Sequence, residues 1–209
     1  RIRDHREVMD IARNIVKEGD RVAAIVASLL SFPRRDSDRR TVTSVERLLS
    51  ESLTLIGAQM RNEGIVVDVN MPPDLPAVLC VEHEVQQVFL NVLNNARYAL
   101  NCKYAASTAG DGKRIEITAA EERVGGRRFV RVKIRDFGIG IPPDILDKVT
   151  HPFFSTKPKG EGTGLGLSIS SDIILKNAGH LVIESREGEY TMVNIDLPEI
   201  APVAPERTA

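Results

Sequence analysis

The sequence predicts an α/β sandwich: a mixed, mostly antiparallel sheet with helices layered on one face, preceded by a long N-terminal helix. Three observations carry that prediction. Helical patterns cover four separated stretches, and two alternating runs flank the pair Gly125-Gly126. Helices and strands also come in blocks rather than in strict β-α alternation, which argues against a doubly wound parallel fold. At 209 residues and 42% hydrophobic, the chain is long enough to bury such a core. Its 28 basic and 29 acidic residues are well mixed and leave a net charge of −1, so nothing in the electrostatics calls for nucleic acid or an anionic membrane surface.

The elements follow in order. Over residues 4 to about 32, Val8, Ile11, Ile15, Val22, Ile25, Val26 and Leu29 form an apolar stripe at spacings of three, four and seven, a pattern that seeks partner helices. Pro33 ends this helix and closes a first unit, 1–33; the charged run "RRDSDRR" makes 34–40 a solvated linker. A second unit, 41–198, begins with a short strand and a helix from Ser44 to about Asn62, with Ser44 as N-cap and Gly64 just past the end. A strand at 65–71, the turn "PPDLP" and a short strand at 77–81 lead into a helix from about Glu82 to Tyr104. The hairpin "RIEITAAEE"–"RFVRVKIRD" comes next, then a Gly-, Pro- and Lys-rich stretch over 144–163. A helix from about Leu165 to Asn177 and strands at 180–185 and 190–197 complete the unit, and residues 199–209 read as a frayed tail.

Cys80 and Cys102 are the only cysteines, and their apolar helix- or strand-like contexts predict two reduced thiols. No apolar run reaches the ~18 residues of a membrane span. No signal peptide is legible, and the chain opens at Arg1. The expectation is a fragment of a cytoplasmic region, any membrane anchor lying upstream.

Three clusters carry chemistry. In "FLNVLNNARYAL", Asn91 and Asn95 are one turn apart on a helix whose other face holds Val88, Phe89, Val92, Leu93 and Ala96. Amide oxygens so placed can ligate a hard cation beside phosphate and water, although asparagines also populate ordinary solvated faces. In "RDFGIGIPP", Val132, Ile134 and Asp136 alternate along a strand before the chain turns through Gly138 and Gly140. The letters D-F-G do not make a protein kinase, because its lysine strand and H-R-D loop are missing upstream. In "KPKGEGTGLGLSIS", Gly162, Gly164 and Gly166 run into an amphipathic helix, whose first amides can hold phosphate oxygens. A dinucleotide fingerprint would need a hydrophobic strand immediately before the glycines, and "STKPKGEG" is not one.

Together and in this order, "NVLNNA", "DFGIGIP", "HPFFSTK" and "GTGLGLSIS" resemble the nucleotide-binding boxes of sensor histidine kinases, in the superfamily shared with gyrase, a heat-shock chaperone and mismatch-repair ATPases. The resemblance covers about residues 41 to 198, and residues 4–32 resemble the second helix of the dimerisation hairpin. It implies ATP and Mg²⁺, with Asn95 as principal metal ligand and Asn91 beside it. Asp136 would accept from the adenine amino group, and Thr191 would hold a water there. Gly138 and Gly140 would let the purine approach, Gly162, Thr163, Gly164, Leu165, Gly166 and Leu167 would wrap the phosphates, and Lys157 would add a cation. Phe153 and Phe154 would anchor a lid or pack in the core.

Two departures from the pattern matter. Where relatives of this kind often carry a phosphate-facing Lys or Arg, this sequence has Tyr98, with Arg97 adjacent. Where hydrolysing relatives carry a Glu, it has Asn91, and an amide cannot act as general base. Of the four histidines, His5, His83, His151 and His180, none sits in an acceptor pattern of the H-E-x-x-N-P kind. The expected function is therefore to bind Mg-ATP and donate the γ-phosphate to a histidine on a dimerisation helix that this chain lacks. A response-regulator receiver domain would be the downstream partner, the full-length protein a homodimer and this fragment a monomer. An inert adenine-nucleotide-sensing module, a hydrolysing ATPase and a serine kinase of the same superfamily are the alternatives.

Overall fold

The structure, a computed structural model, describes residues 39–105, 112–158 and 162–200. The helix expected over 4–32, the boundary at Pro33 and all but the first two residues of the tail read over 199–209 lie outside them; those two are paired rather than frayed, with the Glu199 N–H on Arg128 O at 3.1 Å and the Ile200 N–H on Ala77 O at 3.0 Å. The elements are β1 (Thr41–Thr43), α1 (Val45–Asn62), β2 (Val66–Asn70), β3 (Val78–Cys80), α2 (Glu82–Lys103), β4 (Arg114–Val124), β5 (Arg127–Asp136), α3 (Pro143–Leu146), α4 (Gly166–Lys176), β6 (His180–Arg186) and β7 (Tyr190–Pro198).

Local chemistry sets most of these limits. Ser44 caps α1 by accepting from the Arg47 N–H at 3.4 Å. At the other end Gly64 has φ 71°, its N–H reaches Arg61 O at 3.0 Å, and the Ile65 N–H reaches Met60 O at 2.9 Å. That is a Schellman closure, and the left-handed residue in it favours glycine. Gly125 and Gly126 have φ 58° and 82°, so the β4–β5 hairpin turns through two left-handed residues, as its twist demands.

Strand order in the main sheet is β2-β4-β5-β7-β6. Only β2 and β4 run parallel; the other pairs are antiparallel, and β1 and β3 form a separate antiparallel pair. Ile115 and Ile117 on β4, Val132 and Ile134 on β5, and Ile195 and Leu197 on β7 are buried in one core with Leu48, Phe89, Leu93 and Ile174 from the helices. The opposite residues of the same strands are polar, and Arg131 holds Asp196 there through bonds of 2.6 and 2.8 Å. The mostly antiparallel sheet with helices on one face is the architecture expected.

Three details depart from the expectation. Pro143–Leu146 forms a short helix that runs into the stretch 144–163, for which only a Gly-, Pro- and Lys-rich composition was expected, because Pro143 at its first turn supplies helical φ without needing a hydrogen bond. Helix α4 closes through Ala178 at φ 58°, a left-handed alanine. Cys80 is buried, whereas Cys102 is exposed on α2 rather than in an apolar context; both are free thiols. Burial pushes the Cys80 thiol up to about 11, which makes it a poor nucleophile. Among the described residues, no helix is long and apolar enough to cross a membrane.

Candidate functional site

The inward row of β5 runs Val130, Val132, Ile134, Asp136, so the period of two delivers a carboxylate to the end of a hydrophobic row. Asp136 is only 6% exposed. Its Oδ1 accepts from the Gly138 N–H at 2.9 Å. Burial pushes the carboxyl up to about 7, while that N–H and the positive charge of Lys103 pull it the other way. Lys103, on the last turn of α2, donates to the Phe137 carbonyl at 2.8 Å and so straps the turn after β5 to the helix.

Asp136 faces a cavity of about 600 Å³. One end is apolar, formed by Ile139, Ile141, Pro142, Ile145 and Val193, with Thr191 beside Asp136. Thr191 stands opposite Asp136 in the β5–β7 register. Its hydroxyl lies 3.1 Å from Ser185 Oγ, which donates to Tyr190 O at 2.7 Å and accepts from the Ile141 N–H at 2.8 Å. Because the Ser185 hydrogen goes to Tyr190 O, Thr191 is the donor between the two hydroxyls. Ser185 thus fixes both the turn and the threonine. Its role and that of Lys103 were not legible in the sequence, since both depend on a strand or helix brought alongside by the fold.

The other end is polar. Asn91, Asn95, Tyr98, Lys157, Thr163 and Leu167 line it, together with Gly162, Gly164 and Gly166; Gly140 lines the cavity near Asp136. Gly138 and Leu165 stand outside the lining. The Asn91 amide nitrogen donates to Gly166 O and to Ser170 Oγ, each at 3.2 Å, tying α2 to the first turn of α4. Asn95 Oδ1 accepts from Lys157 Nζ at 2.9 Å, and the same ammonium lies 4.5 Å from the centroid of the Tyr98 ring. Arg97, next along the helix, is turned to Glu63 at 2.6 Å.

Glycine is required here mainly by protein contacts. A Cβ at Gly138 would lie 2.6 Å from Ala99 Cβ, and one at Gly140 would lie 2.2 Å from Arg186 O. Gly164 has φ 68° and packs on the Phe153 backbone, where a Cβ would lie 2.5 Å from its carbonyl carbon. Gly166 differs, because a Cβ there would meet nothing nearer than Asn91 Cγ at 3.8 Å. The N-cap of α4 is Leu165, which offers no side-chain acceptor, so the first-turn amides open toward the cavity uncapped. An anion fits that arrangement. The two phenylalanines separate: Phe154 lines the cavity, whereas Phe153 is 77% exposed at φ 66° and packs in no core.

Residues 80–201 match the family described as histidine kinase-, DNA gyrase B- and HSP90-like ATPase. Among curated relatives, the sensor histidine kinase ZraS of Escherichia coli is 29% identical over 92% of this chain and 38% of its own length. The sensor kinase CckA of Brucella abortus is 31% identical over 90% of this chain and 20% of its own. The chain thus spans well under half the length of these relatives. The catalytic domain of histidine kinase ThkA superposes with a TM-score of 0.63 at 28% identity, covering 77% of this chain and 96% of that one. Full-length ShkA in complex with AMPPNP, at 23% identity and a TM-score of 0.71, shares the fold. A cavity with a buried aspartate at one end and asparagines beside an uncapped helix at the other, on this sheet and in this chain order, accompanies a family match over more than half the chain: the protein belongs to the histidine kinase-, DNA gyrase B- and HSP90-like ATPase family and is of the histidine kinase type.

Proposed function

We propose that this domain binds Mg-ATP and donates its γ-phosphate to a histidine on a dimerisation helix of the same protein, as the catalytic unit of a two-component signalling kinase. One observation carries the reading. A single cavity joins a buried carboxylate, suited to an exocyclic amine, to an uncapped helix end flanked by amide oxygens, suited to a metal-bound polyphosphate. Adenine would sit at the apolar end, its amino group donating to Asp136 and its polar edge served by Thr191. Asn95, with Asn91 beside it, would hold Mg²⁺ through amide oxygens, and the metal would neutralise phosphate charge. The amides of Gly162, Thr163, Gly164, Gly166 and Leu167 would face the phosphates, whereas Leu165, expected among them, is outside the lining and its N–H donates to Thr163 Oγ1 at 3.3 Å. The residues themselves bind, align and exclude water; no covalent step on this chain is needed.

Asn91 supports transfer over hydrolysis. Its side chain meets the Gly166 carbonyl, an acceptor that an amide can satisfy and a carboxylate would repel. A water-activating Glu or Asp is therefore ill suited to this position. The acceptor histidine, the receiver-domain partner, full-length dimerisation and a cytoplasmic location belong to the same proposal. Its support is that the similar curated proteins CckA and ZraS are named sensor kinases.

The test is calorimetric titration of Mg-ADP into the wild type and Asp136→Asn, with Mg-GDP as control. Saturable ADP binding, weakened about tenfold by the substitution and absent for GDP, is expected, since one lost charge-assisted bond is worth ~1.5 kcal/mol or more. Absence of ADP binding by the wild type would remove the proposal. Tyr98 in place of a basic residue favours a second reading, an inert module that senses adenine nucleotide. Transfer of labelled γ-phosphate to a histidine-bearing dimerisation helix supplied in trans would exclude it.

A further inference from the structure

We infer that Ser170 is a positioning residue for this site: with the Gly166 carbonyl it fixes which way round the Asn91 amide stands, and so keeps Asn91 Oδ1 available to a metal. The inference rests on the nucleotide reading above and deepens it. Ser170 lies outside the cavity lining and acts only through the asparagine.

An asparagine amide has an accepting end and a donating end of nearly the same shape, and a half-turn about its last bond exchanges them. A residue that ligates a hard cation must present the oxygen, because the NH₂ end offers hydrogens instead of a lone pair. Position 91 therefore needs a neighbour that accepts the nitrogen and refuses the oxygen.

Helix α4 supplies one. Ser170 is fully buried and donates its only hydroxyl hydrogen to Gly166 O, one turn earlier, at 2.8 Å. With that hydrogen spent, its Oγ can only accept. Asn91 Nδ2 donates toward both oxygens, at 3.2 Å from each. Turned the other way, Asn91 Oδ1 would stand against two oxygens, one of them a carbonyl with no hydrogen to give. The serine could meet a flipped amide only by releasing Gly166 O. The pair is a seat for an NH₂ group.

The consequence lies at the other end of the amide. Among the described residues no donor reaches Asn91 Oδ1, and that oxygen is not one of the buried polar atoms left without a partner. It is open, on a residue that lines the cavity. Asn94, three residues on, shows that the helix itself does not impose this arrangement: its nitrogen returns to Leu90 O on α2 at 2.9 Å. The seat also registers α2 against the first turn of α4, so the amide oxygen and the uncapped N–H groups meet the cavity in a fixed relation.

The experiment is calorimetric titration of ADP, once with excess Mg²⁺ and once with EDTA, into wild type, Ser170→Ala, Asn91→Ala and the double variant. Mg²⁺ is expected to tighten ADP binding by the wild type. Ser170→Ala should lose about tenfold in Mg-ADP affinity, the scale for removing a group that orients a metal ligand, and nothing in EDTA. Asn91→Ala should lose at least as much, and the double variant no more than Asn91→Ala, because the serine works through the asparagine. Alanine is a better helix former than serine, so thermal melts should find α4 no less stable in Ser170→Ala. Equal losses with Mg²⁺ and with EDTA would show that the serine supports only the helix and would overturn the inference. So would unchanged Mg-ADP binding by Ser170→Ala, or losses that add in the double variant. A wild type that binds ADP identically in both buffers would overturn it too, while leaving the adenine site standing. A wild type that binds ADP in neither removes the nucleotide reading, and the inference with it.

Discussion

Asp136 occupies a position that the alternation of β5 assigns to the core, and burial raises its pKa from 3.8 to about 7. A raised carboxyl pKa means that the folded protein binds this proton more tightly than the unfolded chain does. Between about pH 4 and 7 stability therefore falls as pH rises; the penalty is absent below the unfolded pKa and complete above the folded one. Asp136→Asn should raise the melting temperature of the ligand-free protein at pH 8, and thermal scans from pH 4 to 8 should show a flatter profile than wild type. Such a stabilising substitution at the site where ligand is expected is the usual mark of function bought with stability. The proposed adenine contact needs the carboxylate as acceptor, so Mg-ADP binding at pH 6 should release a proton. Titrations of Mg-ADP in buffers of different ionisation enthalpy will show whether it does, and affinity should fall as pH drops below about 7. Phe137, the middle letter of D-F-G, has a different duty: it stacks on the Arg135 guanidinium at 4.8 Å, with Tyr190 on that guanidinium at 4.2 Å.

At the scale of elements, the end of α4 holds two neighbouring residues with opposite expectations. Ala178 carries φ 58°, which an L side chain tolerates poorly. Ala178→Gly should stabilise by about 0.5–1 kcal/mol in urea denaturation, the strain relieved outweighing the entropy that glycine adds to the unfolded chain. Asn177 is 1% exposed, accepts from the Val81 N–H at 3.2 Å and donates to Ile173 O at 2.8 Å. It joins the end of α4 to the start of α2, the two helices that frame the polar end of the cavity. Asn177→Ala leaves a buried N–H without its acceptor and should cost about 1–3 kcal/mol in the same measurement. The sequence marked the helix end near Asn177 but not this bond, because Val81 lies 96 residues away.

At the scale of the whole molecule, the sequence of 4–32 carries a single apolar stripe, whereas a dimerisation bundle of the proposed kind takes two helices from each chain, so this 209-residue chain is predicted to sediment as a monomer across a range of concentrations. Analytical ultracentrifugation settles this, and a dimer independent of concentration would refute it. Much of the fold was legible because its signals are local: alternation in β4 and β5, the cap at Ser44, the glycines of the hairpin turn, and the 3.6-residue stripe of α2 all arise within a few residues of chain. The candidate site residues were legible as motifs for the same reason. Short helix α3, the separation of Phe153 from Phe154, the strap from Lys103 and the bracing of Thr191 by Ser185 were not, since each depends on which segments the sheet and helices bring together. The sequence by itself determined all the described elements but α3, the family and the residues that could carry chemistry, because backbone preference and hydrophobic period act over a turn or a strand. Only the tertiary structure decided that Asp136 is buried in a cavity wall, that Arg97 faces away, and that Lys157 lies over Tyr98. Those outcomes depend on contacts between positions tens of residues apart, and burial and charge take their strength from that packing.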